Sequence, residues 1–239
     1  MIPLRDANPT RRFPVLTITI IAACVVAFAW ELGVEASGGE EALGRLFLEY
    51  GAVPVRLSAA LESGDLLSGA TLGVVTSMFL HGGWLHLIGN MLYLWIFGNN
   101  VEDRFGRAAF LIFYFVGGIV AAIAQVAIDP NSPIPLVGAS GAIAATLGAY
   151  LVFFPRARVL ALVFLGFFYQ LTEIPAVVVL GFWFVLQLIE GIGTLGASSA
   201  SGGVAFFAHI GGFVAGMVVA AIVRARRPRS GPGLRYGVG

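Results

Sequence analysis

Ser140 stands among glycines in Val137-Gly138-Ala139-Ser140-Gly141-Ala142, at the mouth of an apolar segment that continues to Phe154. Gly138 and Gly141 let the backbone turn sharply and leave the hydroxyl uncovered, and the free N–H groups of a helix start face whatever binds there. That is how a nucleophile is presented, although a small-residue helix start packed on a neighbour reads the same way. A serine hydroxyl is a poor nucleophile until an adjacent base takes its proton, and neutral imidazole suits that task at physiological pH. The chain offers three histidines, His81, His86 and His209.

The elements that must position these groups are membrane helices. Of 239 residues, 58% are hydrophobic and 11% charged, against roughly 25% charged in a soluble domain. Mean hydropathy is +0.91. Apolar runs at Pro14 to Trp30, Trp84 to Phe97, Ala108 to Ile128, Gly138 to Phe154, Ile174 to Ile192 and Val204 to Val223 approach the ~20 residues that cross a bilayer. The first is too long for a signal-peptide core and no clear cleavage site follows, so it reads as a retained helix. Its Cys24, the one cysteine, is a small apolar filler with no thiol to pair with. A seventh run, Val159 to Leu171, is too short to span and is expected at the cytoplasmic interface or folded back between helices four and five.

Orientation follows from the arginines, since the chain has no lysine. They cluster before the first run, between the second and third, between the fourth and fifth, and after the sixth. The alternate connections 129–137 and 193–203 hold none, and only Arg45 and Arg56, in a connection long enough to translocate regardless of charge, lie on the other side, which predicts six spans with both termini cytoplasmic. The fold class is thus an all-α membrane protein, a six-helix bundle over 14–223 with a cytoplasmic N-terminal tail, 1–13, and a basic C-terminal tail, 224–239. The long connection 35–80 carries Val53 to Leu61 and Leu66 to Val75, which suggest short interfacial helices on the outer leaflet. The Gly-, Ala- and Ser-rich connection 193–203 reads equally as a lid or a plain linker. A net charge of +1 without a basic patch gives no sign of nucleic acid as a partner.

Under this topology helices two, four and six run the same way, and each carries polar residues near its start: His86 and Asn90, Ser140, and His209. They meet at one depth, where polar groups are costly and tend to mark function. His86 and Asn90 share a helical face. Ser140, Ala144 and Gly148 form one small-residue ridge and Ala208, Gly212 and Gly216 another, so helices four and six can approach closely enough to join hydroxyl and imidazole. Helix four, at about 17 residues, is only about 25 Å long, which recesses Ser140 below the surface.

Gly138-Ala139-Ser140-Gly141, together with Ala208-His209-Ile210-Gly211-Gly212-Phe213-Val214-Ala215-Gly216, His81-Gly82-Gly83-Trp84-Leu85-His86-Leu87-Ile88-Gly89-Asn90 and Gly98 to Gly106, resembles the rhomboid intramembrane serine proteases over about 75 to 225. The resemblance implies that Ser140 is the nucleophile, His209 the general base, and His86 with Asn90 the side-chain part of an oxyanion hole completed by the Ser140 N–H. It gives His81 a supporting role. No carboxylate lies at the right depth, since Glu102, Asp103 and Glu173 fall on the cytoplasmic side and Asp129 and Glu190 near span ends, so a Ser-His dyad without a third acid is expected. Two departures stand out: Ala144 occupies a position where some members carry an aromatic against the catalytic imidazole, and the Trp-Arg pair of many first outer loops is not evident. By the same resemblance Phe182, Trp183, Phe184 and Gln187 lie where helix five packs on helix two, with Trp183 and Phe184 as a gate for a substrate helix or as an ordinary packing seam.

The function expected is cleavage of single-span or other transmembrane proteins at a plasma membrane, with the lipid bilayer as surroundings and no cofactor. Two alternatives differ in class. A histidine metal site from His81, His86 and His209 lacks the spacing and the glutamate of zinc hydrolases. A catalytically silent protein binding client membrane helices would share the fold, but retention of both Ser140 and His209 argues against it.

Overall fold

The computed structural model describes residues 1–65, 67–165, 168–194 and 205–226. Its helices are α1 (Val15–Tyr50), α2 (Pro54–Ser63), α3 (Gly69–Thr76), α4 (Trp84–Tyr93), α5 (Asn99–Phe105), α6 (Arg107–Ile128), α7 (Ser140–Phe153), α8 (Ala176–Thr194) and α9 (Phe206–Arg226). A 3-10 turn, Ser77–Phe79, follows α3, and a π-helical segment, Leu94–Gly98, joins α4 to α5. The molecule is a helical membrane bundle. Among the described residues four helices, α1, α6, α8 and α9, are long and apolar enough to cross a bilayer, and a fifth crossing forms if Gly69–Phe79 and Trp84–Phe105, bent by 80°, count as one. α7, at 14 residues, is a shorter apolar helix, about 21 Å long.

α7 forms the centre: every residue from Ala142 to Tyr150 is buried. Its hydrophobicity runs all round, as expected of a helix enclosed by others. The two ridges of small residues meet as their spacing requires. A Cβ on Gly216 would collide with the Ala145 carbonyl, one on Gly212 with that of Gly141, and one on Gly148 with that of Phe213. α7 and α9 therefore touch backbone to backbone, the close approach that glycine permits between membrane helices.

The connection 35–80 is more regular than a loop. α1 extends to Tyr50 but changes direction at Gly39, whose φ of 68° breaks the helical geometry and divides it into two helical parts. α2 and α3 are the two short helices expected there, α2 opening on Pro54 at its first turn and α3 capped by the Ser68 hydroxyl, which accepts from the Thr71 N–H. Ala52 and Leu136 exchange backbone hydrogen bonds of 3.1 and 2.8 Å, which ties this connection to the strand-like segment leading into Ser140.

The run Val159 to Leu171 is not helical. It forms an antiparallel hairpin, β2 (Arg158–Leu165) and β3 (Phe168–Pro175), and β1 (Ile2–Asp6) from the N-terminal tail completes a three-stranded sheet in the order β1-β2-β3. Pro155 and Pro175 bracket a run rich in β-branched and aromatic residues, which suits a pleated surface better than a helix. The tail 1–13 is thus partly built into the fold. The connection 195–204 and the basic segment 227–239 lie outside the described residues.

Candidate active site

Three helix starts converge at one end of the bundle. Gly138, at φ +123°, makes the turn before α7, and its N–H donates to the Ser77 carbonyl at 2.9 Å. A positive φ of this size is open to glycine and strained for other residues. Ser140 is the first residue of α7, so neighbouring N–H groups have no intrahelical acceptor.

His209 lies one turn into α9 and is 8% exposed. Its Nε2 sits 2.7 Å from Ser140 Oγ, and its Nδ1 sits 2.6 Å from Gln187 Oε1 of α8. An amide oxygen only accepts, so Nδ1 carries the proton and Nε2 presents a lone pair to the serine hydroxyl. That is the tautomer a general base needs.

His86, on α4, accepts the Gly82 N–H at Nδ1, 3.3 Å away. The neutral ring then carries its proton on Nε2. A Cβ built on Gly138 would lie 2.7 Å from that Nε2 and 3.5 Å from Ser140 Oγ, so donor and hydroxyl face the same small space. Asn90 is buried and its amide nitrogen donates to the His86 carbonyl at 2.9 Å, which leaves it a second N–H. His81 packs edge-on against His86 with ring centroids 5.2 Å apart, and its own Nδ1 lies 3.1 Å from the Phe79 carbonyl. Ser77, Met78, Gly118, Ala121, Val137 and Gly138 line a cavity that reaches Ser140.

Two polar residues at this site were not singled out by spacing. Glu31, 2% exposed, accepts the His81 N–H at 3.1 and 3.3 Å through its two oxygens and so holds the turn before α4. It directly follows the apolar run that ends at Trp30, where an acidic residue looks like a helix end entering water. Gln187 lies mid-span on an apolar helix, where a polar side chain must find a partner and so marks itself in the sequence.

Trp183 and Phe184 are placed differently from expectation. The Trp183 ring lies 5.9 Å from both His209 and Phe213, and Phe184 stacks on Phe213 at 4.7 Å. The aromatic seam therefore joins α8 to α9 rather than helix five to helix two, because Trp183 and Gln187, one turn apart, share the face that meets His209. Among the described residues no group of three His, Cys, Asp or Glu is placed to hold a metal ion.

The Rhomboid domain matches residues 68–226. Rhomboid protease GluP of Bacillus subtilis (strain 168) is 40% identical over 92 residues, which are 38% of this chain and 18% of that protein. Putative rhomboid protease YdcA of the same organism is 35% identical over 95 residues, 36% of this chain and 47% of its own length. Presenilin-associated rhomboid-like protein A, mitochondrial, of Danio rerio is 32% identical over 90 residues, 37% of this chain and 24% of the relative. The match thus spans less than half the length of each of these relatives. The Rhomboid domain match, by contrast, takes in two thirds of this chain and includes α4, α7 with the serine and α9 with its histidine: the chain belongs to the rhomboid family.

Proposed function

We propose that this chain is an intramembrane serine endopeptidase that cleaves transmembrane segments of other membrane proteins through an acyl-enzyme formed on Ser140. The observation that carries the reading is the 2.7 Å contact between Ser140 Oγ and His209 Nε2, inside a bundle of apolar helices. His209 takes the hydroxyl proton as Oγ attacks the scissile carbonyl, then returns it to the leaving amine; water repeats the cycle to release the acid. The oxyanion is held by the Ser140 N–H with His86 Nε2–H and the second Asn90 N–H, donors that act where charge develops. Small residues around the cavity leave room for a substrate backbone. A peptide bond inside a helix has its carbonyl engaged, so the substrate must unwind locally before attack, which weak helix formers such as glycine ease.

The arginine distribution supports both termini in the cytoplasm, with the bent pair that ends in α5 and the short α7 completing six crossings. A plasma-membrane location fits the same reading. The test is reconstitution in liposomes with a fluorescent single-span reporter: cleavage within the reporter's span by the wild type and none by Ser140→Ala supports the proposal, and equal cleavage by both rejects it.

A further inference from the structure

We infer that Gln187 is the positioning residue of His209, a neutral third member that α8 supplies to the serine and histidine. The inference rests on the proposed protease reading and goes beyond it. No carboxylate bonds the outer nitrogen of His209, and Ala144 offers no ring against the imidazole. Both tasks fall to one face of α8. Gln187 Oε1 lies 2.6 Å from Nδ1, and the Trp183 ring, one turn earlier, flanks the imidazole at 5.9 Å with an interplanar angle of 38°. The α8 start is fixed in turn by the sheet, where the Ala176 N–H donates to the Ala157 carbonyl at 2.8 Å.

The amide oxygen selects between two tautomers with opposite consequences. With the proton on Nδ1, the lone pair of Nε2 receives the serine proton. With the proton on Nε2, the imidazole would donate to Ser140 Oγ and leave the serine inert. Gln187 is buried at 9% exposure, and in a medium of low polarity a hydrogen bond that is not made costs more than in water, so the selection is strong. When His209 takes the proton, the same oxygen faces a cation and stabilises it. The other polar groups around His209 are Ser140 from α7 and His86 from α4, while Gln125 of α6 accepts the Ala208 N–H at 3.3 Å. Glu190, further along α8, is exposed.

The test compares wild type, Gln187→Met and Gln187→Glu in detergent, reading the second-order rate of Ser140 labelling by a fluorophosphonate across pH, with the melting temperature of each. Methionine keeps length and apolar packing but accepts no such bond; glutamate keeps the acceptor. Positioning predicts that Met labels tenfold or more slowly. It predicts that Glu labels faster than Met, with the acid limb of its pH profile moved upward by about one unit relative to Met, because a carboxylate favours imidazolium. Plain packing predicts the reverse order, with Met near wild type and Glu the slowest. Met within twofold of wild type, Glu slower than Met, or an acid limb at the same pH in all three overturns the inference while leaving the protease reading intact. A wild type that does not label at Ser140 rejects that reading itself, and the inference with it.

Discussion

The two ends of α7 are built from the same apolar helices and solve opposite problems. At the start, Ser140 and His209 share one hydrogen bond, beside a cavity lined mainly by small residues. At the far end, Tyr150 is wholly buried, its hydroxyl donates to Asp6 Oδ2 at 2.8 Å, and Asn100 donates to the same oxygen at 2.8 Å. Nearby, the buried Glu102 accepts from the N–H groups of Leu16 and Thr17 and from the Thr17 hydroxyl, at 3.0, 2.8 and 2.8 Å. A carboxylate there satisfies the orphan N–H groups at the start of α1 and faces the positive end of its dipole. One end holds its polar groups through a short chain of hydrogen bonds between neutral side chains; the other gives each of these carboxylates two or more hydrogen bonds and locks α1, α5, α7 and β1 together. In this fold, function and stability are separated along a single short helix.

That separation can be broken in graded ways. Ser140→Ala and His209→Ala are each expected to lower kcat by about 10⁴-fold or more, since such residues act as a unit, with a melting temperature within a few degrees of wild type. Asn90→Ala is expected to lower kcat about 10²-fold with little change in KM, the signature of a contact made mainly in the transition state; a raised KM with unchanged kcat would make Asn90 a substrate contact. Glu102→Ala should do the reverse, costing about 2 kcal/mol of stability by stranding buried donors, read as a lowered melting temperature with near-normal labelling of the folded fraction.

Trp183→Ala with Phe184→Ala tests the serine end from α8, because Trp183 lies against His209 and Phe213 and Phe184 stacks on Phe213. Their contacts predict a several-fold loss on a transmembrane substrate and on a short soluble peptide alike; faster cleavage of the transmembrane substrate alone would make them a gate. The smallest effect belongs to Asp6. Burial raises its carboxyl above the ordinary carboxylate range, against the hydrogen bond from Tyr150, which lowers it. Its contribution is then fully present below the unfolded carboxylate pKa and is lost as pH rises through the folded value. Asp6→Asn, which does not titrate, should therefore stay within about 1 kcal/mol of wild type at neutral pH, and the advantage of wild type over it should grow as pH falls, as melting curves at both pH values would show.

The serine end was largely legible in the sequence because its signals are local or repeated. Gly138 marks a positive-φ turn, the four-residue spacing puts His86 and Asn90 on one face, and the glycines of α7 and α9 recur at helical intervals. The sheet end was not. Val159 to Leu171 is a short apolar run, for which helix and strand patterns overlap, and the partner that settles the matter, Ile2–Asp6, lies some 150 residues away in sequence. The direction in which Gln187 points was also hidden, since a lone polar residue on an apolar helix shows that it must find a partner but not which one. Glu31 looks like a helix end in water only if the first helix stops with the apolar run at Trp30, whereas it continues to the break at Gly39.

If Ser140 is a nucleophile activated by His209, mass-spectrometric mapping of a fluorophosphonate adduct on the purified, folded protein will find one adduct, on Ser140, absent in Ser140→Ala and formed at least a hundredfold more slowly in His209→Ala. An adduct on a different serine, or one on Ser140 that forms as fast without His209, would contradict it.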